Sequence, residues 1–182
     1  EVWEEFHADW EKLATECAIL NLQLRAEYGL SDTGTLSDEE RDGLEDFNGE
    51  TRQVITMQRV KQDFFRRAVL SSYRGRCCIS GLSETQLLIA SHIVPWSEDK
   101  ANRLNPRNGL CLSALHDKAF DRGLITLSDD FAVIVSSVLM ARNDAFSEQF
   151  FEPINGLIIE LPERFLPDRE FISRHRSSRF ID

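Results

Sequence analysis

Residues 86–92 (QLLIASH) form a short apolar run of strand character, and Gly109–Ser113 (GLCLS) form another that leads without a break into a short helical segment, Ala114–Asp121. Pro95, Asn102, Asn105 and Pro106 mark a long loop between the two runs, and Gly123 stops the helix. Strands this short cannot bury a face alone. The strand, loop, strand, helix order therefore ties the middle of the chain to a small mixed unit, and the fold class is read as α+β. Residues 124–127 and 131–135 continue it as a hairpin around Ser128, Asp129 and Asp130. Residues 143–152 read as helical, and the tail 160–182 is interrupted by Pro162 and Pro167 and rich in arginine.

Upstream of this unit the period changes. Trp3, Phe6, Trp10, Leu13, Cys17, Leu20 and Leu24 step alternately by three and four, which predicts a helix over residues 2–28. Such a stripe serves either to pack against the rest of the protein or as a seam for self-association, since a 3.5-residue period suits helix pairing. Residues 29–50 hold Gly29, Gly34, Gly43 and Gly49 among acids and read as a linker, with Ser37 and Glu40 as a capping box for one turn. A second helix is expected over 51–74, with Val54, Met57, Val60, Phe64 and Ala68 buried. From 59 to 76 it carries six bases against the single acid Asp63. That is either a solvated helix face or an edge turned toward phosphates.

Charge follows the same division. The 182 residues carry a formal charge of −10, but residues 1–50 hold 15 acids and 3 bases, hence −12, and residues 51–182 hold 18 bases and 16 acids, hence +2. Net acidity argues against a nucleic-acid partner only for the first quarter of the chain. The domain boundaries expected are thus 1–50, an acidic helical arm and linker, and 51–182. No apolar run approaches the roughly 18–20 residues of a membrane span, and the first residue is Glu1, as in a piece excised from a longer protein. Cys17, Cys77, Cys78 and Cys111 make no disulfide framework, and structural zinc is not expected because the paired Cys-x-x-Cys spacing is missing. A reducing cytoplasm is the simplest compartment.

The segment from 86 to 123 concentrates the chemistry. His92 ends the first strand, Asn108 opens the second, and His116, Asp117 and Asp121 share one short helix. Asp117 and Asp121 are four apart, so their carboxylates lie on one helix face. Carboxylates so close repel unless a cation sits between them or one is protonated. Hard oxygen donors favour Mg²⁺ or Mn²⁺. Taken alone, such a pair is usually just a solvated helix face.

Order and spacing add context. Residues 90–96 (ASHIVPW), 105–110 (NPRNGL) and 116–125 (HDKAFDRGLI) resemble the HNH, or ββα-metal, endonuclease family, in the branch found among bacterial restriction endonucleases. His92 to Asn108 is 16 residues, Asn108 to Asp117 is 9, and Asp117 to Asp121 is 4. The resemblance, closest over 86–125, implies a ββα-metal nuclease core within 51–182 and a metal-dependent DNA endonuclease with one divalent cation. It also implies roles. His92 would be the general base, and Asn108 would hold the loop that orients it. Asp117 and Asp121 would bind the metal. His116 would be a ligand, a phosphate contact or a supporting partner. Ser91 stands where the family often carries a His or Asp ligand. Lys118, Arg122 and Arg107 would contact phosphates. The setting implied is restriction or phage defence, with DNA as partner; the heptad-like stripe separately offers a homodimer through the N-terminal helix. The competing reading is a non-catalytic DNA-binding or interaction module that keeps the ββα scaffold.

Overall fold

Leu88–His92 (β1) and Gly109–Ser113 (β2) pair antiparallel, with Leu88 opposite Ser113 and His92 opposite Gly109. The structure, a computed structural model, describes residues 9–28, 49–142 and 144–182, with side chains 21–22, 25–28 and 49–60 outside that description. Trp3, Phe6 and the Ser37–Glu40 box lie outside the described residues, as do the side chains of Val54, Met57 and Val60. The chain divides into two compact units, Glu1–Phe64 and Phe65–Asp182.

The first unit contains helix α1, Trp10–Tyr28. Among its described side chains Ala14 is buried, while Cys17, Ile19, Leu20 and Leu24 are exposed. The expected stripe is therefore largely open. Lys61 pairs with Glu11. Helix α2, Gly49–Ser72, continues from the first unit into the second.

The second unit is organised on the β1–β2 hairpin. The end of α2 buries Phe65, Val69 and Ser72, whereas Phe64 and Ala68, expected to be buried, are only half-buried. The buried face is rotated by one residue because β2 comes close at Gly109. A Cβ there would stand 2.4 Å from Val69 Cγ2 and 3.0 Å from Phe65 Cζ. Only the absence of a side chain permits that approach.

Helix α3, Ala114–Asp121, packs on β1 and β2. Ser113 caps its start by accepting from the His116 N–H, which satisfies one of the orphan donors of the first turn. At its end Gly123 N–H donates to Phe120 O and Leu124 N–H to Ala119 O, with Gly123 at φ +69. The following hairpin pairs β3, Ile125–Leu127, with β4, Val133–Val135. Two short helices follow, α4 (Ser137–Met140) and α5 (Ala145–Phe150), the latter within the helical region expected at 143–152.

The Pro-interrupted, arginine-rich tail forms helix α6, Arg169–Ser178, capped by Asp168. It buries Ile172 and His175. His175 Nε2 donates to Phe120 O at 3.1 Å, so its Nδ1 accepts from Thr126 Oγ1 at 2.9 Å. Its ring stacks on Phe120 at 3.7 Å. The C-terminal segment is thereby clasped to the end of α3. Leu88, Ile93, Leu110, Leu112, Phe120, Ile125 and Leu127 form the core beneath these elements.

Candidate active site

His92 is the last residue of β1, where the chain leaves the hairpin for the loop 93–108. Its Nε2 lies 2.8 Å from the Arg103 carbonyl. A carbonyl only accepts, so Nε2 carries the proton and Nδ1 keeps its lone pair. The ring stacks on Phe65 at 3.8 Å and 9°, and meets the Trp96 edge at 5.6 Å. Burial lowers the His92 pKa below 6.5, against the opposing pull of the Arg103 carbonyl and the Asp121 charge. The imidazole is held in place and kept neutral.

The loop that supplies this carbonyl is tied down by Asn108. Its Oδ1 accepts from Val94 N–H at 2.8 Å, and its Nδ2 donates to Val94 O at 3.0 Å and to Asn102 O at 3.3 Å. Asn108 is fully buried, and its two bonds to Val94 satisfy the N–H and C=O of a buried loop residue. Arg103 adds a second fastening, donating from Nε to Trp96 O at 2.8 Å while its guanidinium lies 5.2 Å from the Trp96 ring centre.

Helix α3 brings two carboxylates to the same place. Asp117 is half-buried, and its pKa is raised by burial and further by Asp121, against the lowering influence of Ser91 and Lys118. Asp121 is exposed and acts on both Asp117 and His92. Ser91 is buried, and its Oγ has no hydrogen-bond partner among the described residues. It lies beside the Asp117 carboxyl closely enough to favour the ionised form, but outside hydrogen-bond geometry.

These groups fit a hard divalent cation. Among the described residues no group of three or more His, Cys, Asp or Glu side chains forms a ready cage. One or two carboxylates, completed by water and phosphate oxygens, are what Mg²⁺ usually takes from a protein. The orphaned Ser91 oxygen and the mutually repelling carboxylates are the features such an ion would relieve.

His116 is not brought to this group. It is buried, with Nδ1 at 3.0 Å from Ser113 Oγ and 3.5 Å from Cys77 Sγ. Adjacent helical residues point about 100° apart, so α3 turns His116 inward when it turns Asp117 toward Ser91. Burial raises the Cys77 thiol, but hydrogen bonds from His116, Ser80 and Ile79 together outweigh it and bring the pKa to about 6. Arg107 is paired with Asp168 at 3.2 Å, and Lys118 on α3 and Arg122 just past its end are exposed. Sequence reasoning missed Phe65, Trp96 and Arg103. The pairing of an aromatic with an arginine inside the loop was the available signal for the last two.

The family model described as HNH endonuclease matches residues 77–128. No curated protein matches the chain. Among solved structures, one described as "Modification dependent TagI restriction endonuclease" is similar at 20% sequence identity and a TM-score of 0.44, over 62% of this chain and 36% of that chain. This chain thus spans little more than a third of that structure's length. The matched segment contains β1, the loop, β2, α3 and β3, with every residue of the site except Phe65. Residues 77–128 are thus similar to an HNH endonuclease domain.

Proposed function

We propose that this chain is a metal-dependent endonuclease that hydrolyses DNA phosphodiester bonds, working in restriction or phage defence in the cytoplasm. The observation that carries this reading is the state of His92, whose Nε2–H is committed to the Arg103 carbonyl so that Nδ1 remains the proton acceptor. His92 takes a proton from water at Nδ1 as the water oxygen attacks phosphorus and the 3′-oxygen departs. Asn108 positions the ring through the loop that carries Arg103. Asp117 and Asp121 would hold one Mg²⁺ or Mn²⁺, which supplies charge stabilisation to the phosphate and the leaving oxygen. Lys118 and Arg122 would meet flanking phosphates, and Arg107 would do so on releasing Asp168. His116 supports α3 from behind rather than binding the cation.

The test is cleavage of plasmid DNA by the purified protein with Mg²⁺ or Mn²⁺. The wild type should cut, and His92→Ala should lower the rate by about 10²–10⁴-fold. An intact plasmid, or equal cutting by His92→Ala, would remove the catalytic reading in favour of a DNA-binding module.

A further inference from the structure

Helix α6 lies outside the matched segment 77–128, yet it and its flanks touch both halves of the site. Toward α3, His175 Nε2 donates to Phe120 O at 3.1 Å, and Ile181 N–H donates to Gly123 O at 3.0 Å. Toward the loop 93–108 the contacts are ionic. Arg174 pairs with Asp99 at 3.5 Å, and Arg179, just past the helix, pairs with Glu98. An exposed ion pair by itself contributes little. Asp99, however, keeps only 16% of its side-chain surface and is already bonded into the loop. Its carboxylate accepts from Asn102 N–H at 3.1 Å and from Asn102 Nδ2 at 3.0 Å, and Asn102 O accepts from Asn108 Nδ2 at 3.3 Å. The next carbonyl along, that of Arg103, is the acceptor that fixes His92 Nε2–H.

We propose that Arg174 and Arg179 are positioning residues, which through Asp99 and Glu98 hold the loop on α6 so that the Arg103 carbonyl stays on His92. This rests on the reading of His92 as the general base. The same helix is fastened to α3, so it also fixes the base relative to Asp117 and Asp121. The arginines act through the loop and not on the phosphate. Once the loop is released from α6, the Arg103 carbonyl can leave Nε2. The neutral ring then exchanges between two tautomers, and only the one protonated at Nε2 offers Nδ1 as a proton acceptor.

Two measurements on the full chain test this: kcat and KM for plasmid cleavage with Mg²⁺, and long-range proton–nitrogen NMR of the His92 ring without DNA, which reads the tautomer. In Arg174→Ala/Arg179→Ala, kcat should fall about tenfold to a hundredfold, with KM changed less than about twofold. The His92 ring of that variant should no longer be held in the Nε2–H form. Arg176→Ala is the control on the same helix, because Arg176 pairs with Asp129 of the β3–β4 turn; its kcat and tautomer should match the wild type. Glu98→Arg/Arg179→Glu, which restores the pair with charges exchanged, should recover most of the kcat lost in Arg179→Glu. A raised KM with kcat and tautomer unchanged would make the arginines phosphate contacts and overturn the proposal. Equal loss in Arg176→Ala would overturn it too, as a general effect of weakening α6. A wild type that cuts, with a double variant unchanged in both measurements, overturns the positioning role and leaves His92 as the base. A wild type that does not cut overturns both.

Discussion

His92 owes its chemical character to a backbone carbonyl. The Arg103 carbonyl occupies Nε2, burial disfavours the imidazolium, and Nδ1 is left basic. As the general base proposed above, His92 would act in its neutral form, so lowering its pKa would extend activity toward acid. The acidic fall of the kcat/KM profile should be centred below 6.5; a fall centred above 6.5 would contradict this. A second histidine carries a stability consequence of the same sign. Burial holds His175 at about 4, with Arg179 adding to the effect against the Phe120 carbonyl. The unfolded chain binds its proton near 6.5 and the folded chain does not. The stabilisation is therefore complete above 6.5 and is lost as pH falls toward 4, on the order of 3 kcal/mol. In His175→Phe, which cannot titrate, chemical denaturation should show a weaker loss of stability between pH 6.5 and 4 than in the wild type; identical slopes would exclude His175 as the source.

At the scale of elements, α3 does most to build the site, and its ends are well defined. Ser113 starts it and Gly123 stops it, while Asp117 and Asp121 project between. Gly123 is required twice over. Its φ is +69, and a Cβ would stand 2.0 Å from the Arg179 carbonyl oxygen. Gly123→Ala should destabilise the protein by more than about 2 kcal/mol, read as a lower Tm, through displacement of the Arg179–Phe180 backbone. A Tm unchanged within a degree would refute that close packing. The β1, β2 and α3 elements were legible because short apolar runs, an N-cap serine and a stop glycine mark them locally. Helix α6 was not legible, because Ile172 and His175 are its buried residues and two positions make no readable stripe. The buried face of α2 was misread by one residue for a related reason. Val54, Met57, Val60, Phe64 and Ala68 form a sound period, but the close approach of Gly109 selects Phe65 and Val69.

At the scale of the whole molecule, the two compact units divide the charge sharply. Residues 65–182 hold 15 bases and 15 acids, so that unit is neutral and the net −10 resides in residues 1–64. On the proposed function, DNA affinity in the neutral unit would rest on local groups such as Lys118 and Arg122 rather than on a general positive field. Within the first unit, the exposed Cys17, Leu20 and Leu24 of α1 keep the heptad spacing. On the proposed function, a single phosphate-cutting site among the described residues would make pairing useful for a double-strand break. The proposed homodimer should appear in light scattering of the wild type and give way to monomer in Leu20→Glu/Leu24→Glu; a wild-type monomer would exclude this seam. What the sequence determined by itself was the local part. It set the order of the strands and α3, the spacing that assembles His92, Asn108, Asp117 and Asp121, and the separation of charge. Each depends on near neighbours in the chain, where period and capping act. Tertiary structure alone decided which nitrogen of His92 is basic, that His116 faces Cys77 rather than Asp117, and that Ser91 is buried without a partner. Those outcomes depend on groups that only the completed fold brings together.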